Sequence, residues 1–93
     1  MVRVPTSLLS AALVSMALSI PALADGKKDC TSEPQAKWKP QPDAEAAAKA
    51  AGFEVRRSKV EGACYEVYAV KDGKNLELFY NPMDLKLMHT VTK

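Results

Sequence analysis

The stretch Gly62–Asp84 constrains the fold of this chain most, because it has the pattern of a complete β-hairpin. Apolar and polar residues alternate in both halves of the stretch, which is typical of strands with one buried side. Asp72-Gly73 separates the halves, and this pair favours a two-residue turn because glycine adopts a positive φ without steric cost. The predicted inner face of the two strands is formed by Tyr65, Val67, Ala69, Leu76, Leu78 and Tyr80.

A short helix is predicted before the hairpin, over the alanine-rich segment Asp43–Ala51. Alanine has the highest intrinsic helix propensity. Pro42 suits the first turn, and Gly52 suits the position just after the last turn. An isolated helix of this length is not stable in water, so we expect it to pack on one face of the sheet.

Two further strands are predicted on either side of the hairpin, Phe53–Val60 and Lys86–Val91. The alternation in the first one breaks, so we expect a bulge or a twisted edge near Arg57–Ser58. In the last strand, Leu87 and His89 are assigned to the inner face. Consecutive strands usually pair as neighbours. The predicted fold class is therefore α+β, with one α-helix on an antiparallel meander of three to four strands.

The N-terminal segment Met1–Ala24 is predicted to be a signal peptide. It has a short basic start, an apolar run over Ser7–Ile20 and small residues before the cleavage position. The run is shorter than the roughly 20 residues that a membrane-spanning helix needs, although an uncleaved anchor is the alternative. We expect a periplasmic or secreted protein with no stable membrane span after cleavage. Residues 25–41 are then an extended N-terminal arm, and residues 42–93 form the domain.

Charge and size exclude some functions and favour a disulfide. The formal net charge is only +2 without a clustered basic face, so we expect no nucleic acid partner. Cleavage leaves about 70 residues, and exported domains of this size often need a covalent link. Cys30 and Cys64 are the only cysteines, and we predict that they pair and fix the arm to the sheet. Two free thiols are the alternative.

A family resemblance lies in the hairpin itself. The motif C-Y-E-V-Y from Cys64, then D-G-K, then a hydrophobic strand that ends in Tyr-Asn-Pro, resembles the small secreted PepSY-type domains of bacteria. The resemblance covers about Trp38 to His89 and brings no catalytic signature. PepSY domains are linked to protease propeptides and are proposed to restrain peptidases. The resemblance therefore implies a protein-interaction or peptidase-inhibitory and regulatory role, with a peptidase or another envelope protein as partner.

Candidates for catalysis or metal binding are few. Cys30 or Cys64 with His89 is the only nucleophile–base set, and a disulfide would consume both thiols. Thioether and imidazole ligands suit copper, but their spacing here matches no common metal motif. We expect no enzyme activity, no cofactor and no metal site, and the alternative function is a small-ligand or metal-binding envelope protein. The residues considered for that alternative are Met83, Asp84, Met88 and His89.

The sheet face away from the helix is the predicted binding surface of a monomeric protein. Aromatic rings among charges resemble an interface core with a polar rim. The alternative is that Tyr68 and Phe79 pair across strands for stability alone. Glu66 and Glu77 are expected to face each other as solvated carboxylates, and the N-terminal arm competes for the same surface. An edge strand could also accept a partner strand. The predicted binding residues are Arg56, Glu66, Tyr68, Glu77 and Phe79.

Overall fold

The computed structural model describes residues 26–93, and the predicted signal peptide, Met1–Ala24, lies outside the described residues. One helix, α1, packs on a four-stranded antiparallel sheet with the strand order β1-β2-β3-β4. A 3₁₀ turn at Gln35–Lys37 interrupts the predicted extended arm. The bounds of the elements are α1 Gln41–Ala50, β1 Glu54–Glu61, β2 Cys64–Lys71, β3 Lys74–Tyr80 and β4 Leu87–Thr92.

The helix begins two residues earlier and ends one residue earlier than predicted, and Gly52 follows its last turn as predicted. Gly52 has φ +93, a conformation that glycine adopts without steric cost. The Phe53 N–H donates to the Ala48 carbonyl at 3.0 Å and the Gly52 N–H to that of Lys49 at 3.0 Å, which is the Schellman pattern. Ala44 and Ala48 are fully buried on the sheet. Their small side chains let the helix backbone approach the strands closely.

The central hairpin has the predicted two-residue turn. Lys71 pairs with Lys74, and Asp72 and Gly73 between them have φ values of +54 and +75. Two successive positive φ values define the type I′ turn, whose twist matches that of the flanking strands. The Asp-Gly pair therefore sets the register of β2 against β3.

The predicted bulge in β1 is present, one residue earlier than expected. Val55 pairs with Ala69 and Arg57 pairs with Tyr68, so Arg56 is the extra residue. The bulge changes the phase of the strand, and Val60 returns to the inner face opposite Tyr65.

The inner face of the sheet and the helix enclose the main core. Tyr65 is one of its buried residues, and the Tyr65 hydroxyl donates to the Lys39 carbonyl at 2.5 Å. Trp38 packs edge-on against the Tyr65 ring at 5.4 Å between centroids. The buried members of this core are Ala44, Ala48, Tyr65, Val67, Ala69, Leu78 and Tyr80.

The last strand differs from the prediction at His89. A register shift at the end of β3 places Leu87 opposite Tyr80 and His89 opposite Phe79. Leu87 is on the inner phase as predicted, whereas the His89 ring lies 5.7 Å from the Phe79 ring on the other face. Assigning His89 to the inner face was wrong, because the extra residue Met88 changes the alternation. Within residues 26–93, no helix has the length and apolar character needed to span a membrane.

Candidate functional site

The candidate site is the outer face, defined as the sheet face opposite the helix. Antiparallel pairing arranges its side chains in rows across the strands. One row runs Lys59, Glu66, Phe79, His89, and the next row runs Arg57, Tyr68, Glu77, Val91. Each row takes one side chain from each of the four strands and includes both charged and aromatic residues. We call the second row the open row.

The N-terminal arm crosses one end of the outer face. A disulfide joins Cys30 to Cys64 with their Cα atoms 5.0 Å apart. The Ala63 N–H donates to the Lys28 carbonyl at 2.8 Å, so the arm also bonds to the turn before β2. Gly26 lies over the Phe79 ring, where a Cβ atom on the glycine would be 3.2 Å from Phe79 Cζ. The arm therefore forms a second layer on this end of the sheet.

Two of the five predicted binding residues are buried. Phe79 is only 1% exposed and packs with the disulfide and Val91 in a second, smaller core. Glu66 is 3% exposed. The expectation that the outer face leaves Phe79 and Glu66 open was therefore wrong. The arm covers Phe79, and Glu66 lies among the side chains of Lys59, Tyr68 and Glu77. We call Cys64, Glu66 and Phe79 the covered end.

The open row retains an aromatic side chain outside the arm. Tyr68 is half-buried, and the Arg57 guanidinium carbon lies 3.9 Å from its ring centroid, which is a cation–π contact. Arg57 itself is exposed. The bulge turns Arg56 out of this row, and the Arg56 guanidinium binds Glu54 at 3.2 Å instead. Arg57 therefore occupies the place that the alternation had assigned to Arg56.

A pair of carboxyl groups lies between the covered end and the open row. Burial raises the pKa of Glu66, and the adjacent Glu77 carboxyl raises it further through a shared hydrogen bond and charge repulsion. A hydrogen bond with Tyr68 and the charge of Lys59 oppose this rise in pKa. Expecting a solvated pair was wrong for Glu66, which is buried, although the two carboxyl groups do meet as predicted. The ionised form of the Glu66 carboxyl group is disfavoured because few water molecules reach this buried group.

Two lysines border the carboxyl pair. The Lys59 ammonium lies 3.9 Å from Glu66 and 3.3 Å from Glu61, and the Glu61 hydrogen bond is the main cause that raises the pKa of Lys59. The Lys93 ammonium lies 3.2 Å from Glu77. The outer face thus alternates cationic and anionic groups around Tyr68, without a large field of one sign.

The other sequence candidates do not assemble into a reactive centre. Both cysteines are in the disulfide, so neither thiol is left for the pairing with His89. In the described part of the chain, no group of three or more His, Cys, Asp or Glu side chains is placed to hold a metal ion. The Asp84 carboxylate accepts the Lys86 N–H at 2.9 Å and so stabilises the turn before β4.

Sequence reasoning missed Arg57 and Lys59 as members of the outer face. The phase of Val60 requires an extra residue somewhere between Val55 and Val60 without showing which one, and the structure places it at Arg56. Arg57 and Lys59 then alternate with Ser58, whose hydroxyl bonds to Glu45 and Gln41 of the helix.

The fold and the site define a small α+β domain in which a disulfide fixes an N-terminal arm to the sheet. The family model described as "Peptidase propeptide and YPEB domain" matches residues 8–90, and the chain belongs to this PepSY family. The match begins inside the segment predicted as a signal peptide. No curated protein and no solved structure matches the chain. Family membership suggests a propeptide-like, regulatory or binding role, with peptidases as the suggested partners.

Proposed function

We propose that this protein is an exported, non-catalytic binding domain that regulates or inhibits a periplasmic or secreted peptidase. The observation that carries the proposal is the family match over residues 8–90, whose description is that of a peptidase propeptide. A single disulfide-linked domain suits an oxidising compartment, where such bonds persist.

The open row is the proposed contact surface. Tyr68 is the anchor, because a half-buried tyrosine offers a large ring with a polar end and loses little side-chain entropy when bound. Arg57 on one side of Tyr68 and Glu77 on the other provide a charged rim. Of the five residues predicted from sequence, Tyr68 and Glu77 stay in the proposed surface, Glu66 and Phe79 are buried beside it, and the bulge places Arg56 outside it.

The test is a binding and inhibition assay on the exported protein. Purified protein is immobilised and exposed to periplasmic extract, and captured peptidases are then assayed for activity with increasing amounts of free protein. We expect Tyr68→Ala to weaken capture and inhibition about tenfold or more, as removal of an anchor aromatic usually does. Arg56→Ala is the matched control, because Arg56 is an exposed cation that the bulge places outside the row.

Two results would contradict the proposal. One is that no peptidase is captured or slowed by the wild-type protein. The other is that Tyr68→Ala and Arg56→Ala reduce capture equally, which would place the contact surface elsewhere.

A further inference from the structure

The strand β4, Leu87–Thr92, forms one edge of the sheet, and in residues 26–93 no strand pairs with its outer side. It contains no proline and no Asp, Glu, Lys or Arg. Edge strands of native proteins are usually protected by charges, proline or bulges, because their free backbone groups invite pairing with another chain. The bulge residue Met88 lies near the start of β4, so the rest of the strand is regular.

The opposite edge, β1, has the protection that β4 lacks. Its bulge falls inside the strand at Arg56, and Arg57 and Lys59 follow within three residues. A bulge inside the strand disrupts the regular row of backbone groups, and cationic side chains discourage an incoming strand. The two edges of the sheet therefore differ in their capacity to accept a partner.

The outward backbone groups of β4 can be assigned from the ladder. The Lys93 N–H donates to the Asn75 carbonyl at 2.8 Å, so the backbone N–H and C=O groups of Lys93 point toward β3. Backbone direction alternates along an antiparallel strand, which places the N–H and C=O groups of Thr90 and Thr92 on the outer edge. Both threonines are exposed.

We propose that β4 binds an extended segment of a partner protein as an antiparallel fifth strand. This inference rests on the proposed function and specifies how the partner is captured. Backbone groups of Thr90 and Thr92 supply the hydrogen bonds, which is the usual basis of affinity in strand addition. Antiparallel pairing is slightly more stable per residue than parallel pairing.

The side chains at the start of β4 define the chemistry of the segment. Leu87 is 40% exposed and Met88 is 39% exposed, so they offer apolar contact area. The exposed residue Lys86 directly precedes them. An antiparallel segment passes these residues with its C-terminal end. The expected partner segment thus carries an apolar residue and then an acidic residue at that end. The rest of it is expected to be uncharged and rich in β-branched residues, which favour strands.

A second copy of this chain fits the edge less well. Two β4 strands that pair about a two-fold axis bring Lys86 of each copy opposite Lys93 of the other. The Glu77 carboxylate, 3.2 Å from the Lys93 ammonium, offsets part of this repulsion, but β4 itself offers no acidic side chain to pair with Lys86. Like charges directly opposite each other destabilise a strand pair.

The test uses two capped synthetic peptides of alternating threonine and valine, one ending in Leu-Asp and the other in Leu-Lys. Each is titrated into the ¹⁵N-labelled exported protein, and backbone amide shifts and amide exchange are followed. We expect the Leu-Asp peptide to shift and protect the amides of Thr90 and Thr92 and to bind several-fold more tightly than the Leu-Lys peptide. Lys86→Glu should reverse this preference.

The variant Thr90→Pro should weaken peptide binding about tenfold, because it removes an outward N–H. Its matched control is Thr90→Val, which keeps the backbone N–H and should bind like wild type. Amide shifts that map to β1 or to the open row, or a preference that Lys86→Glu leaves unchanged, would overturn the proposal. So would dimerisation of the wild-type protein through β4 in sedimentation experiments.

The outcome separates this inference from the proposed function. If Tyr68→Ala abolishes peptidase capture while Thr90→Pro leaves it intact, the function stands and the strand-addition inference fails. If the Leu-Asp peptide binds at β4 but no peptidase is captured, the edge is a binding site and the proposed function fails.

Discussion

Removing the disulfide, by Cys30→Ala together with Cys64→Ala, should strongly destabilise the domain. The bond joins residues 34 positions apart. In the loop-entropy model, a closed loop of this length stabilises the folded state by about 4 kcal/mol, because it restricts the unfolded chain. A domain of this size has a total free energy of unfolding of only about 5 kcal/mol. We therefore expect the double variant to have a substantial unfolded population at room temperature.

Apart from the disulfide, the contacts that hold the start of the arm, residues 26–30, on the sheet are weak. The hydrogen bond from Ala63 to Lys28 contributes about 1 kcal/mol. The ion pair between Lys28 and Glu61 is largely exposed on the lysine side, and such pairs contribute less than about 1 kcal/mol. Without the disulfide, residues 26–30 should detach and Phe79 should become accessible to solvent, while Trp38 keeps the end of the arm packed against Tyr65.

The assay is urea unfolding of the oxidised, reduced and doubly substituted proteins, followed by Trp38 fluorescence, with hydrogen exchange of the covered end in parallel. Gly62→Ala is a control that disturbs arm docking while the disulfide is intact. Gly62 has φ +57, and a Cβ atom there would be 2.6 Å from the Lys28 carbonyl oxygen. It should cost about 1–3 kcal/mol through local strain. A loss of under about 1 kcal/mol on reduction would refute the loop-entropy reasoning.

Three further predictions concern the outer face and the N-terminus. Phe79→Ala should lower the free energy of unfolding by about 3 kcal/mol because the ring is 1% exposed, whereas Tyr68→Ala should cost about 1 kcal/mol or less; equal losses in urea unfolding would contradict the assigned roles. Glu66→Gln should reduce the pH dependence of stability. Because burial raises the pKa of folded Glu66, its wild-type contribution is present at low pH and is lost as the pH rises through that pKa; parallel urea midpoints of the two proteins from acid to neutral pH would disprove this. Intact mass of the exported protein should correspond to cleavage after Ala24, and a mass that retains Met1 would indicate an uncleaved anchor.

The local parts of the fold could be predicted because each depends on a few neighbouring residues. Asp72-Gly73 specifies a turn with two positive φ values, and this turn sets the register of the hairpin. Gly52 specifies the end of the helix in the same way. Alternation along β2 and β3 then identifies the inner face.

The predictions that were wrong concern positions whose environment depends on residues distant in the sequence. Alternation shows that β1 contains an extra residue but not which one, and a change of one position exchanges Arg56 for Arg57 on the outer face. The burial of Phe79 depends on the path of the arm, which has no periodic pattern. A cysteine pair shows that two segments meet, without showing which face the connecting chain covers.

The proposed open row and the proposed β4 edge are parts of one continuous surface. Val91 belongs to both, since it pairs with Glu77 across the sheet and lies in the strand that would accept a partner. A strand added to β4 would place alternate side chains on the outer face, next to Val91 and His89. A single partner that inserts a strand there would also reach toward Tyr68, two strands away in the same row. If one partner uses both sites, the losses of affinity from Tyr68→Ala and Thr90→Pro should not be additive, because each weakens the positioning on which the other contact depends.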